Sequence, residues 1–404
     1  MVSTAAPFDS TEVFLQVLAW DNVNEAFQFY ERRRRAWFWA GSSWEALAED
    51  TRGHGPFDSH VNGGVVMKEL KVPWLHWHSM AAGILPAALA PDDPLRSEPL
   101  FAVVESADQL ELLVRGALFR WTEARFARRI VGGRLIRASE FFRQVLETTS
   151  VNLATAREVS RTLGAGDGLR VPRTFFLHSD ALLGELRLRP TFPAPQANAQ
   201  HYLDSLARYA VILRADDFSL PGDTHFAFPV PEPALEDLVV LRGLLARGFL
   251  SPTLAAALLM VDFPNPVFSL RRARLAAYLP DEVEPGAGPG SFAARFVAAI
   301  EAAAGILPAE APEHEFLSLW RVPDAGWEAD YTARLQGYLS AVATRLAAAA
   351  GFDDYFRLAE PRRREFRKRP LAEFSLTTPS TNIPEDALLL EMQSDGGVRA
   401  KTLN

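Results

Sequence analysis

Residues 254–261, LAAALLMV, are apolar at every position, and Ser251-Pro252 just ahead supply a cap and a first-turn proline. A helix with no polar face is stable only when other elements enclose it. The run is also too short to cross a bilayer, which takes roughly 20 residues. The enclosure therefore has to be protein. This predicts a large helical body, and 404 residues are enough to build one.

The rest of the chain reads largely as further helices. Trp327, Tyr331, Leu335, Tyr338, Leu339, Val342 and Leu346 fall on one face of a helix over 327–350, closed by Gly351. Ser106 to Gln109 has capping-box spacing at the head of a helix over 107–131, with acids early and arginines late. Further helices are expected over 139–149, 150–163, 201–213, 234–247, 270–279 and 291–304. Residues 11–39 also show a helical rhythm, through Val13, Val17, Leu18, Phe27 and Tyr30. In that reading Arg32–Arg35 are cations at a helix end, followed by Trp37, Phe38 and Trp39. The expected fold class is mainly α: a multi-helical globular protein with a minor β component near residues 64–78 and another near the C-terminus, at 373–377 and 388–392. The proline-rich stretch 190–200 divides an N-terminal helical region, 1–190, from a C-terminal one, 200–404, with one continuous domain as the alternative.

Composition removes several kinds of chemistry. The chain has no cysteine, which excludes disulfides, thiolate zinc sites, iron–sulfur clusters and cysteine nucleophiles. A formal net charge of −8 argues against a general nucleic-acid binder. The N-terminus lacks a basic start followed by an apolar core, so no signal peptide and no membrane span are expected, and the predicted location is cytoplasmic. Of the 42 basic residues only Lys68, Lys71, Lys368 and Lys401 are lysine, a skew that reflects genome composition and discounts arginine clusters. The six cations in Arg362–Arg369 are read as a solvated face or a contact with the acidic body before a polyanion patch.

Potential chemistry concentrates in residues 63–80, GGVVMKELKVPWLHWHSM. With His54 and His60 upstream, half of the 8 histidines fall in this neighbourhood. If the segment stays extended past Pro73, His76 and His78 point to one face, offering two imidazole nitrogens. His54, His60 or Glu69 would complete a metal site, although simple alternation puts Glu69 on the opposite face from His76. Two histidines with one carboxylate suit non-haem iron, and three histidines suit zinc or copper. Alternatively one axial histidine beside Trp74 and Trp77 could ligate a haem. The bland alternative is that the tryptophans anchor a core strand while the histidines hydrogen-bond to neighbours.

No Gly-x-Ser-x-Gly elbow, HExxH, phosphate loop or EF-hand loop occurs. The resulting expectation is a metal-binding or haem-dependent oxidoreductase acting on a small-molecule substrate. A non-catalytic helical binding or scaffold protein with structural histidines is the reading from another class, and recognition of an anionic partner through Arg32–Arg35 and Arg362–Arg369 is a third.

Overall fold

Phe27 and Phe29 are buried while Gln28 and Tyr30, which alternate with them, are half-buried, and that period of two decides the N-terminal region. In a computed structural model, which describes residues 15–33, 36–58, 60–66, 90–99, 108–156, 158, 163–215, 218–223, 227–368 and 379–401, this region is an antiparallel sheet. Its strands, Leu15–Asp21, Ala26–Arg33 and Ala36–Ser42, lie side by side in chain order. The helix expected over 11–39 is thus corrected to strands. The Asp21 carboxylate accepts from the backbone N–H groups of Val23 and Asn24, which closes the first hairpin and breaks any helical continuity there.

The mainly α expectation needs the same correction more widely. Among the described residues helix makes up 46% and strand 17%, spread over several small sheets, so the fold is mixed α/β. Short two-stranded pairs account for most of the difference. Val151–Ala154 pairs with Val230–Pro233, where a helix over 150–163 was expected. Every residue of both strands is buried, which erases the alternation that marks a strand in sequence. Gly168–Arg170 pairs with Gln196–Asn198, Ile212–Ala215 with Phe218–Pro221, and Leu390–Met392 with Val398–Ala400. The last falls in the expected C-terminal β segment; the one expected at 373–377 lies outside the described residues, as does 67–78.

The apolar helix, Pro252–Met260, lies at the centre with Leu254 through Met260 buried. Ser251 caps it by accepting from the Leu254 N–H. Ser139–Leu146 and Pro312–Trp320 pack against it. Phe142 stacks on Phe292, whose ring meets Phe296, and Phe296 meets Phe316 edge-on, tying three helices through aromatic contacts. The Trp327–Ala347 helix buries the seven stripe residues named above, and its Tyr338 hydroxyl donates to the Phe176 carbonyl at 2.8 Å.

Gly351 does not end that helix. It sits in the first turn of a further one, Ala349–Lys368, where an added Cβ would come within 2.4 Å of the Arg345 carbonyl oxygen. The cation run lies on this second helix. Arg362 and Arg363 are buried, with Arg363 and Arg364 both bonded to the buried Glu360 at 2.8 Å. Those arginines hold the helix to the body.

Candidate functional site

The N-terminal sheet is joined to the helical body by the loop 60–66, the foot of the stretch that sequence singles out. His60 is buried, its ring edge-on to Phe29 at 5.1 Å, and its Nδ1 lies 2.8 Å from the Gly64 carbonyl. A carbonyl only accepts, so that nitrogen carries the proton and is not a metal-ligating lone pair. The Gly63 carbonyl accepts from the Ser43 hydroxyl at 2.7 Å, and the Asn62 carbonyl from the Trp121 indole N–H at 2.7 Å. Gly63 has φ +71°, and a Cβ there would sit 2.6 Å from the Ser43 carbonyl oxygen, so only glycine fits.

His54 is exposed at the start of the Gly55–Phe57 turn. Glu69, Trp74, His76, Trp77 and His78 lie outside the described residues. Among the described residues no group of three or more His, Asp or Glu is placed to hold a metal. The metal-binding expectation is corrected to that extent: His60 is a packed, hydrogen-bonded histidine and His54 a surface one. His60→Ala should cost roughly 2–3 kcal/mol in urea denaturation, because it opens a cavity beside Phe29 and strands the Gly64 carbonyl.

Below the loop lies a buried polar seam. The Asn62 side-chain amide donates to Glu236 Oε1 at 2.7 Å and to Thr149 Oγ1 at 2.9 Å. Thr149 and Gln144 both donate to Asp237 Oδ1, and Arg125 donates to Gln144 Oε1 at 2.7 Å. Burial first, and then the Glu236 carboxylate alongside, push the Asp237 carboxyl up to about 7. Burial pulls the Arg125 guanidinium down to about 10. Glu236 and Asp237 open the Leu235–Ala246 helix, so in sequence they read as ordinary dipole-matching acids. The overlooked signal is that every other residue from 235 to 246 except Arg242 and Gly243 is apolar, leaving no solvent face for them. The seam's side chains are buried and hydrogen-bonded to one another, the arrangement of a structural joint.

The accessible chemistry sits on the sheet itself. Trp37, Phe38 and Trp39 are 49%, 50% and 57% exposed, the largest run of consecutive exposed aromatics in the described chain. Trp39 donates its indole N–H to Gln28 Oε1 at 2.7 Å, and Gln28 in turn donates to Asp21 Oδ2 at 3.1 Å, so the ring is held in place across the strands. Their strand, Ala36–Ser42, lies at the edge of the sheet: among the described residues only Ala26–Arg33 pairs with it. Sequence reasoning placed these aromatics after a helix end; the alternation through 26–33 was the signal for a strand. Comparison with protein-family models, with curated proteins and with solved structures finds no match.

Proposed function

We propose that this is a cytoplasmic, non-catalytic binding protein whose working surface is the aromatic edge of the N-terminal sheet. Three successive exposed aromatic residues on an edge strand carry this reading. An edge strand offers a row of backbone N–H and C=O groups to a further strand, and side chains alternating in direction supply selectivity. Trp37 and Trp39 face one side and Phe38 the other, so the edge suits an extended polypeptide whose apolar side chains line the tryptophan face. Tryptophan is also the residue most enriched at binding hot spots. A polypeptide partner replaces the small-molecule substrate expected from the histidines, and the net charge of −8 favours it over a nucleic acid. Among the described residues no helix is long and apolar enough to cross a membrane.

The test is fluorescence anisotropy with a labelled synthetic peptide alternating valine and lysine, alongside a proline-interrupted isomer of the same composition. The intact protein should bind the first at least about tenfold more tightly than the second, and the Trp37→Lys/Trp39→Lys variant should lose that preference. Equal binding of both peptides, or preference retained by the variant, rejects the reading. A Soret band or a stoichiometric transition metal in the purified protein would instead return it to metal or haem chemistry.

A further inference from the structure

We infer that the partner of the Ala36–Ser42 edge is a second copy of this chain, paired antiparallel about Phe38; this rests on that edge being the working surface proposed above. Residues 36–40 read Ala-Trp-Phe-Trp-Ala, the same in both directions. Two such strands running antiparallel around a two-fold axis at Phe38 place Ala36 opposite Ala40, Trp37 opposite Trp39, and Phe38 opposite its own copy. An isologous interface sets residue i against j and j against i, and in this register the two residues of each such pair are of the same type.

Three further observations favour self-pairing. The five residues carry no charge, so pairing sets no like charges opposite each other, the usual guard against edge-to-edge association. The first four are exposed, whereas Gly41 and Ser42 are buried against the body, so the accessible length of the edge nearly coincides with the palindrome. The register of the strand with Ala26–Arg33 shifts at Ala40, a bulge at the palindrome's last residue beyond which pairing resumes with Gly41 and Ser42. The Trp39 ring, fixed by Gln28, lies on the same face as Tyr30 and Val17, its neighbours across the strands. Pairing would continue that row into the Trp37 of the second copy, giving a continuous six-stranded sheet across the axis with Leu15–Asp21 at each outer edge. Two-fold pairing uses the Ala36–Ser42 edge of both copies at once, which separates this arrangement from head-to-tail association through that edge.

The absence of cysteine makes the register directly testable. Residues directly opposite across an antiparallel pair bring their Cβ atoms to about 4.5–5.5 Å, near enough for a disulfide after a small adjustment. Under mild oxidation Phe38→Cys should form a covalent dimer. Trp37→Cys alone and Trp39→Cys alone should form several-fold less, while an equal mixture of those two should form the crossed dimer. Light scattering on the intact protein should show the mass rising from 44.7 kDa towards twice that with concentration. Phe38→Lys, which sets two ammonium groups opposite each other at the axis, should weaken association roughly tenfold or more. A monomer at all concentrations, a dimer that Phe38→Lys leaves intact, or cross-linking equally efficient at all three positions would overturn the inference. A monomer that still binds the valine–lysine peptide selectively would reject self-pairing alone, whereas a monomer that binds neither peptide selectively would reject the edge as a working surface too.

Discussion

Asp237→Asn is expected to flatten the dependence of stability on pH between about pH 4 and pH 7 and to make the protein more stable at pH 8. In the folded chain the Asp237 carboxyl titrates at about 7, against an ordinary value of 3.8. Between those limits the folded state holds a proton that the unfolded state has released. Stability therefore falls as pH rises through this window, by about 1.4 kcal/mol per unit, and the loss is complete above the folded value. By pH 8 the whole penalty has accumulated, a sizeable share of a typical total stability of about 5–15 kcal/mol. Asparagine never ionises and keeps an oxygen to accept from Thr149 and Gln144. Urea denaturation of both proteins at pH 5, 6, 7 and 8 reads the effect directly. Parallel curves for the two would show that Asp237 is ionised throughout and that its neighbours, not a proton, satisfy it.

Arg362→Leu should lower stability by about 3–5 kcal/mol, the range for removing one member of a buried charged network. The guanidinium is fully enclosed, and burial pulls it down to about 10. It donates to the Phe175 carbonyl at 2.6 Å and to Asn265 Oδ1 at 3.1 Å, and lies over the Phe175 ring at 4.6 Å. Asn265 in turn donates to the Met392 carbonyl at 2.9 Å and accepts from the Met392 N–H at 3.0 Å, so one cation connects the long helix, the turn after the central helix and the C-terminal hairpin. Removing it takes the guanidinium donor from the Phe175 carbonyl and leaves Asn265 Oδ1 with the Met392 N–H alone. Arg362→Lys should recover less than half the loss, because an ammonium cannot reproduce a planar fork with separate donors aimed at Phe175 and Asn265. Thermal unfolding of the two variants measures this. A loss under about 1 kcal/mol would place Arg362 among ordinary surface arginines.

Helices with a strong local signature could be read from sequence because their causes are local. A cap, a first-turn proline and eight apolar positions define the helix at 252–260. One aromatic stripe likewise settles which side of the Trp327–Ala347 helix is buried. The errors came where the cause is distant. Residues 151–154 form a strand only because 230–233 arrive beside them, and burial on both faces leaves no alternation to read. Arg362 looks like one more cation in a charged run, and only the carbonyls of remote segments make it a buried tie. His60 belongs to a cluster of histidines in sequence, but Phe29 and Gly64 turn it into a packing residue.

What the residues decided alone was an ordered, cysteine-free chain with a large apolar interior and helices wherever period and caps agree. Tertiary structure decided which polar groups are buried, and with them the raised carboxyl of Asp237 and the lowered guanidiniums of Arg125 and Arg362. It also decided that Trp37, Phe38 and Trp39 stand at an open strand edge. Exposure and dielectric environment depend on neighbours tens to hundreds of residues away, and no local window of sequence contains them.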